Sequence, residues 1–126
     1  MIGYGLQAAN IVIWLLTTPE RIKPTVLRLI RDSASEVFVS TASLVEIASK
    51  ASGGRLIFDN DMLADLQDIS EWLPLSAAHA LRVQTLPRIH GDPFDRVLVA
   101  QAMVEDLTLV TGDHLLADYG VPVVLT

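Results

Sequence analysis

Three carboxylates stand where chemistry is possible: Glu46 in FVSTASLVEIASK, Asp95 in HGDPFDRVLVAQA and Asp113 in TLVTGDHLLADYG. Each also has an ordinary local role. Glu46 precedes Lys50 by four residues, the spacing of a solvated helical ion pair worth about 0.2–0.5 kcal/mol. Asp113 follows a short apolar run and can cap the helix after it. Asp92, just before Pro93, is a helix N-cap with proline at the first helical position. Asp95 then falls near the third position, where a carboxylate suits the helix dipole. Yet Asp95 shares its face with Leu98, Val99 and Ala102, and a carboxylate among apolar residues is costly to bury unless a cation or donor meets it.

Gathered at one place, these acids would repel one another and stay ionised together only around a cation. Oxygen ligands with no clustered His or Cys select Mg²⁺ or Mn²⁺ over zinc. His79, His90 and His114 lack metal-ligand spacing and read as surface or interface residues. No Gly-rich phosphate loop, G-x-S-x-G elbow or Cys–His pair is present.

Whether the acids meet depends on the elements that carry them. A first strand is predicted from Ile2 to Ala8 and a short helix from Asn10 to Leu16. Thr18-Pro19-Glu20 reads as the start of a helix running to about Asp32. Val37 to Val39 reads as a buried strand, followed by a helix capped by Ser40 or Thr41 and ended by Gly53-Gly54. Further helices are predicted from Asp61 to Ser70, Ser76 to Gln84, Pro93 to Glu105 and His114 to Tyr119. Strands are predicted at Trp72 to Leu75, Leu107 to Thr111 and Val121 to Leu125, with a loop from Pro87 to Asp92. Short apolar strands alternating with helices belong to a parallel sheet covered on both faces. Such sheets place their active crevice at the C-terminal strand ends. That directs attention to Ala8, to Ser40 through Glu46 and to Thr111 through Asp113, with Asp92 and Asp95 brought alongside on the apolar helix.

The bulk properties narrow the classes. With 126 residues, 51% of them hydrophobic, the chain reads as a single domain over 1–126. Its apolar runs fall short of the roughly 18–20 residues of a membrane span. The opening lacks a signal peptide's basic start and cleavage site, and there is no cysteine, so a cytoplasmic protein is expected. Fifteen acidic against nine basic residues give a net charge of −6, which argues against a generic nucleic-acid binder. It leaves room for an enzyme that reaches a phosphodiester through carboxylate-held metal. The apolarity of Trp14, Leu15 and the Pro19 to Asp32 segment suggests a homodimer.

SLVEIASKASGGRL, HGDPFDRVLVAQAMVEDLTLVTGD and the closing YGVPVV resemble the PIN-domain ribonucleases, specifically the VapC-type toxins of bacterial toxin–antitoxin pairs, over nearly the whole chain. The resemblance implies an α/β fold, a three-layer α/β/α sandwich about a parallel sheet of about four to five short strands. It implies acids holding Mg²⁺ for cleavage of RNA phosphodiesters, a homodimer, and inhibition by a small VapB-type antitoxin through which alone DNA is engaged. Glu46 matches the acid of the family's W/V-E-I segment, Asp95 the acid opening the apolar helix and Asp113 the acid after the strand. Asp92 matches an acid common in this subgroup. The family's first acid, a metal ligand in a pattern like L-L-D-T-N/H-V-L-I-W, falls on Ala8 of GLQAANIVIWLL.

Two accounts fit Ala8: an engineered Asp→Ala that silences a toxic nuclease, or a natural inactive relative. Gln7 in place of an aliphatic residue favours the second; the retained Glu46, Asp95 and Asp113 favour the first. Arg96 and Lys50 are candidates for phosphate contacts, though both read first as ordinary surface cations. The implied function is a Mg²⁺-dependent endoribonuclease toxin, impaired in this form. The alternative is a non-catalytic PIN-like module that binds antitoxin or RNA. A phosphoryl-accepting receiver or Mg²⁺-phosphatase on a similar sheet would need an acid at the end of strand one, and Ala8 counts against it.

Overall fold

A computed structural model describes residues 3–7 and 9–126. Five short strands, β1 (Gly3–Leu6), β2 (Glu36–Ser40), β3 (Glu71–Leu73), β4 (Thr108–Thr111) and β5 (Val123–Leu125), form one sheet in the order β3-β2-β1-β4-β5. Every neighbouring pair is parallel, with Tyr4 opposite Val37 on one side of β1 and Thr108 on the other. Along β4 successive residues serve opposite faces, as the two-residue period of a strand requires. Leu109 joins a core with Leu98, Val99 and Leu116, whereas Val110 joins one with Leu6, Ile11 and Ile47. Both faces are therefore covered, and the architecture is the expected α/β/α sandwich.

The helices are α1 (Ala9–Thr17), α2 (Pro24–Arg31), α3 (Thr41–Ser52), α4 (Asn60–Ile69), α5 (Ala77–Val83) and α6 (Pro93–Glu105). Short 3₁₀ turns span Pro19–Arg21 and His114–Tyr119. The predicted helix starts at Ser40, Ser76 and Asp92 carry side-chain caps, whereas the Thr18 hydroxyl makes none. Ser40 accepts the Ala42 N–H, Ser76 the His79 N–H, and Asp92 the Phe94 N–H at 2.8 Å. Asp59, which no expectation named, caps α4 by accepting the Met62 N–H at 2.9 Å.

One predicted helix divides. The segment expected from Thr18 to Asp32 is a 3₁₀ turn, then Lys23 in extended backbone (φ −54°, ψ 137°), then α2. Pro24 explains the break: its ring excludes helical backbone at the preceding residue, and it has no N–H for a helix passing through it. The apolar residues that suggested a second copy are largely spent inside the chain. Leu15, Ile22, Val26 and Ile30 are all buried in the core beneath β1 and β2. Among the described residues no helix is long and apolar enough to cross a membrane.

Candidate active site

Strand order decides where a crevice forms. Connections from β1 lead to β2 and β3 on one side, and the chain then returns to β4 on the other side of β1. At that reversal the loops leaving β1 and β4 part, and ligands of open α/β sheets bind beyond these strand ends. A cavity of about 530 Å³ lies there. Gln7 arrives from the end of β1, Gly112 and Asp113 from β4, Glu46 and Lys50 from α3, and Asp92 and Asp95 from the start of α6. The structure thus brings together Glu46, Asp92, Asp95 and Asp113. Ala8, where the sequence resemblance sets the family's first acid, lies outside the described residues.

Asp95 is the most enclosed of the acids, at 6% exposure. Burial pushes its carboxyl above the ordinary Asp range and the neighbouring Asp92 charge adds to this, against a lowering by Gln7 and His90. The Gln7 amide Nε2 donates to Asp95 Oδ1 at 3.3 Å, and its Oε1 accepts from Thr111 Oγ1 at 2.7 Å and from the Gly112 N–H at 3.3 Å. This side chain therefore ties β1 and β4 together at their ends and holds the acid between them.

Asp113 is held differently. Its Oδ1 accepts the Leu115 N–H at 3.0 Å, capping the 3₁₀ turn as expected, and its Oδ2 lies 2.7 Å from His90 Nε2. What burial it has raises its pKa, but the Leu115 N–H, then His90 and His114, outweigh that and hold it below the ordinary range.

His90 was expected at the surface or an interface; it sits instead between two acids, with Nε2 also 3.6 Å from Asp95 Oδ2. Its Nδ1 accepts the Asp92 N–H at 3.0 Å, which leaves the ring proton on Nε2, facing the carboxylates. No helical or strand spacing links His90 to Asp95; the turn through Gly91 folds the imidazole back over the helix start. The signal was a His two residues before an N-cap. Gln7 carried a signal too, standing where the family pattern has an aliphatic residue. His79 also departs from expectation, being buried between α5 and α6.

Glu46 pairs with Lys50 at 3.0 Å, the expected helical contact, while both line the crevice. Arg96 is not brought there. One residue beyond Asp95, it points about 100° round the helix, and its guanidinium donates to the Pro87 carbonyl at 2.8 Å and the Val83 carbonyl at 3.3 Å. It braces the loop before α6.

The donor set accommodates a divalent cation. His90, Asp95 and Asp113 each offer a ligand atom, all within 4.8 Å of one another. Two carboxylates converge there on one imidazole, with Lys50 bonded to Glu46 nearby. A hard cation taking oxygen ligands from Asp95 and Asp113 would meet their charge. The oxygen-only set expected from sequence gains a nitrogen neighbour in His90.

A sequence profile of the PIN domain matches residues 9–122. No protein of curated function matches the chain in sequence. Among solved structures, it is similar to a chain of VapBC2 from Rickettsia felis bound to a DNA fragment from their promoter, with 16% identity, 98% of each chain covered and a TM-score of 0.78. It is also similar to a chain of DNA-bound VapBC from Salmonella typhimurium (16% identity, 98% of each chain, TM-score 0.66). A chain of FitAcB from Neisseria gonorrhoeae aligns over 95% of both chains at 19% identity and a TM-score of 0.63. At such identities the likeness is one of fold. With nearly its whole length matched by the profile and the sheet to go with it, the chain belongs to the PIN domain family.

Proposed function

We propose that this chain is the toxin member of a toxin–antitoxin pair, an endoribonuclease scaffold silenced at position 8. One observation carries the reading: Glu46, Asp95 and Asp113 come from three separate elements to one crevice at the reversal of the sheet. The VapBC complexes with DNA that share its fold support a small VapB-type antitoxin as partner; RNA as the substrate, and DNA engaged only through the antitoxin, follow from the family resemblance. Asp95 and Asp113 would hold Mg²⁺ or Mn²⁺, with a carboxylate at position 8 completing the site. When bound, the ion supplies activation of water and stabilisation of charge on the phosphodiester. The chain's own residues set this up. Gln7 fixes Asp95, His90 fixes Asp113, and Lys50 beside Glu46 offers a cation to a phosphate oxygen.

The test is Ala8→Asp. The variant is expected to cleave RNA in the presence of Mg²⁺ and to arrest growth on expression. A second change, Asp95→Ala, is expected to abolish both, because the acids serve one shared metal site. An Ala8→Asp protein that folds, binds metal and cuts no RNA with Mg²⁺ or Mn²⁺ overturns the silenced-enzyme reading. A binding module would then take its place, and one observation already favours that: Gln7 and His90 hold Asp95 and Asp113 through the protein's own bonds.

A further inference from the structure

Resting on the nuclease reading above, we infer that Trp14, backed by Arg21, is a stacking platform for a nucleobase of single-stranded RNA on the wall of the acidic crevice. The difficulty it resolves is electrostatic. The chain carries a net charge of −6, and four carboxylates, Glu46, Asp92, Asp95 and Asp113, line the crevice. Lys50, among the few cations there, is paired with Glu46. A phosphate backbone gains little from such a wall, whereas a base stacked on an aromatic ring gains contact that is indifferent to charge.

Of the chain's three Phe, two Trp and two Tyr residues, Trp14 alone lines the crevice. Part of its ring packs against the core below α1, so the ring is held in place before any ligand arrives. Asn10, one helical turn earlier and exposed, lines the same wall and sets an amide beside the ring. The Arg21 guanidinium lies over Trp14, 4.9 Å from the ring centroid. Among the described residues that guanidinium has no hydrogen-bond or carboxylate partner, which leaves its N–H donors for a phosphate flanking the stacked base. A Trp–Arg pair serving only to cover α1 would not require the ring to form part of the crevice wall.

The experiment measures anisotropy of labelled oligoribonucleotides against the full chain. Three probes are used: a single-stranded RNA, an RNA duplex of the same length, and an abasic ribose-phosphate strand. The single strand is expected to bind more tightly than the duplex. Trp14→Leu should weaken single-strand binding roughly tenfold, Trp14→Phe less, and Arg21→Ala by about two- to fivefold. Trp14→Leu should leave binding of the abasic strand unaltered, since no base is there to stack, whereas Arg21→Ala should weaken it, since the phosphates remain. Far-UV circular dichroism and thermal melts identify any variant that fails to fold, and exposed Arg21 together with the conservative Trp14→Phe keep the test decisive if Trp14→Leu does.

Unchanged single-strand affinity in folded Trp14→Leu, or an equal loss on the abasic strand, overturns the platform. If Ala8→Asp still cleaves RNA in that event, the nuclease reading stands without it. If the chain binds no single-stranded RNA and Ala8→Asp cuts none, both fail together.

Discussion

His79 and His90 make the same pair of bonds in two regions of the molecule. In each, Nδ1 accepts a nearby backbone N–H, from Ser76 and from Asp92, both at 3.0 Å. In each, Nε2 faces a carboxylate, Glu105 at 2.9 Å and Asp113 at 2.7 Å. Their surroundings differ. His79 is 2% exposed, closes a capping box at the start of α5 and has the buried Gln101 amide beside it. Its acid partner Glu105 faces solvent and lines a smaller cavity of about 350 Å³ that the ring itself does not reach. His90 stands at the edge of the crevice with a second acid, Asp95, within 3.6 Å. A histidine–acid pair alone therefore says little about function. What separates the two is whether a second acid meets the ring.

The largest expected effect breaks the two apart on stability. His79→Ala removes a buried ring, a cap acceptor and a partner of Gln101, and is expected to cost about 2–3 kcal/mol in urea unfolding. His90→Ala is expected to cost under about 1 kcal/mol, because water can replace a partly exposed ring. In an Ala8→Asp background the order should reverse: His90→Ala lowers RNA cleavage, while His79→Ala leaves the rate per folded molecule unchanged. Equal stability losses at the two sites would remove the distinction.

The acids sharpen it with opposite signs. Because the Asp95 carboxyl is raised, the folded chain binds that proton more tightly than the unfolded chain does. Ionisation then costs stability, and the cost grows as pH climbs from the ordinary Asp range through the raised value. Asp95→Asn, which keeps an oxygen to accept from Gln7, should therefore raise Tm by a few degrees at pH 7 in chelator and leave it little changed near pH 3. Asp113 is depressed, so its ionised form contributes stability above the ordinary range that is lost as pH falls through the lowered value. Asp113→Asn should lower Tm at pH 7 under the same conditions. Melting curves with the same sign for both variants would contradict the assigned environments.

The smallest effect belongs to Lys50. Its pair with Glu46 is an i,i+4 contact on a partly exposed helix face, and Lys50→Ala should cost no more than about 0.5 kcal/mol in urea unfolding. In the Ala8→Asp background the same change should raise the KM for RNA if Lys50 meets a phosphate. A loss of stability alone would assign the residue to the helix.

Much of this was legible in the chain itself, wherever the governing interaction is local. Helix α6 begins and ends where Asp92-Pro93 and Glu105 predict, since a cap, a proline and apolar periodicity act within a few residues. Ser40, Ser76 and Gly53 mark their boundaries for the same reason. The alternation of short apolar strands with helices was enough for a parallel sheet with two covered faces. The break at Pro24 was also local and visible, but the stronger start signal at Thr18-Pro19-Glu20 obscured it.

The tertiary structure decided what depends on residues far apart in the chain. Strand order placed β4 beside β1, and that adjacency alone brings Gln7 to Thr111 and Asp95. The fold of the loop before α6 set His90 against Asp95 and Asp113 at the edge of the crevice, while helical rotation turned Arg96 away from it. His79 was buried by the packing of α5 on α6. Spacing along a chain encodes the period of an element, not the element that will lie against it. Asp92, Asp95 and Asp113 could be named from sequence because each stands at an element end, and Glu46 because the family resemblance marks it; the side chains that hold them could not, because their partners arrive through the topology of the sheet.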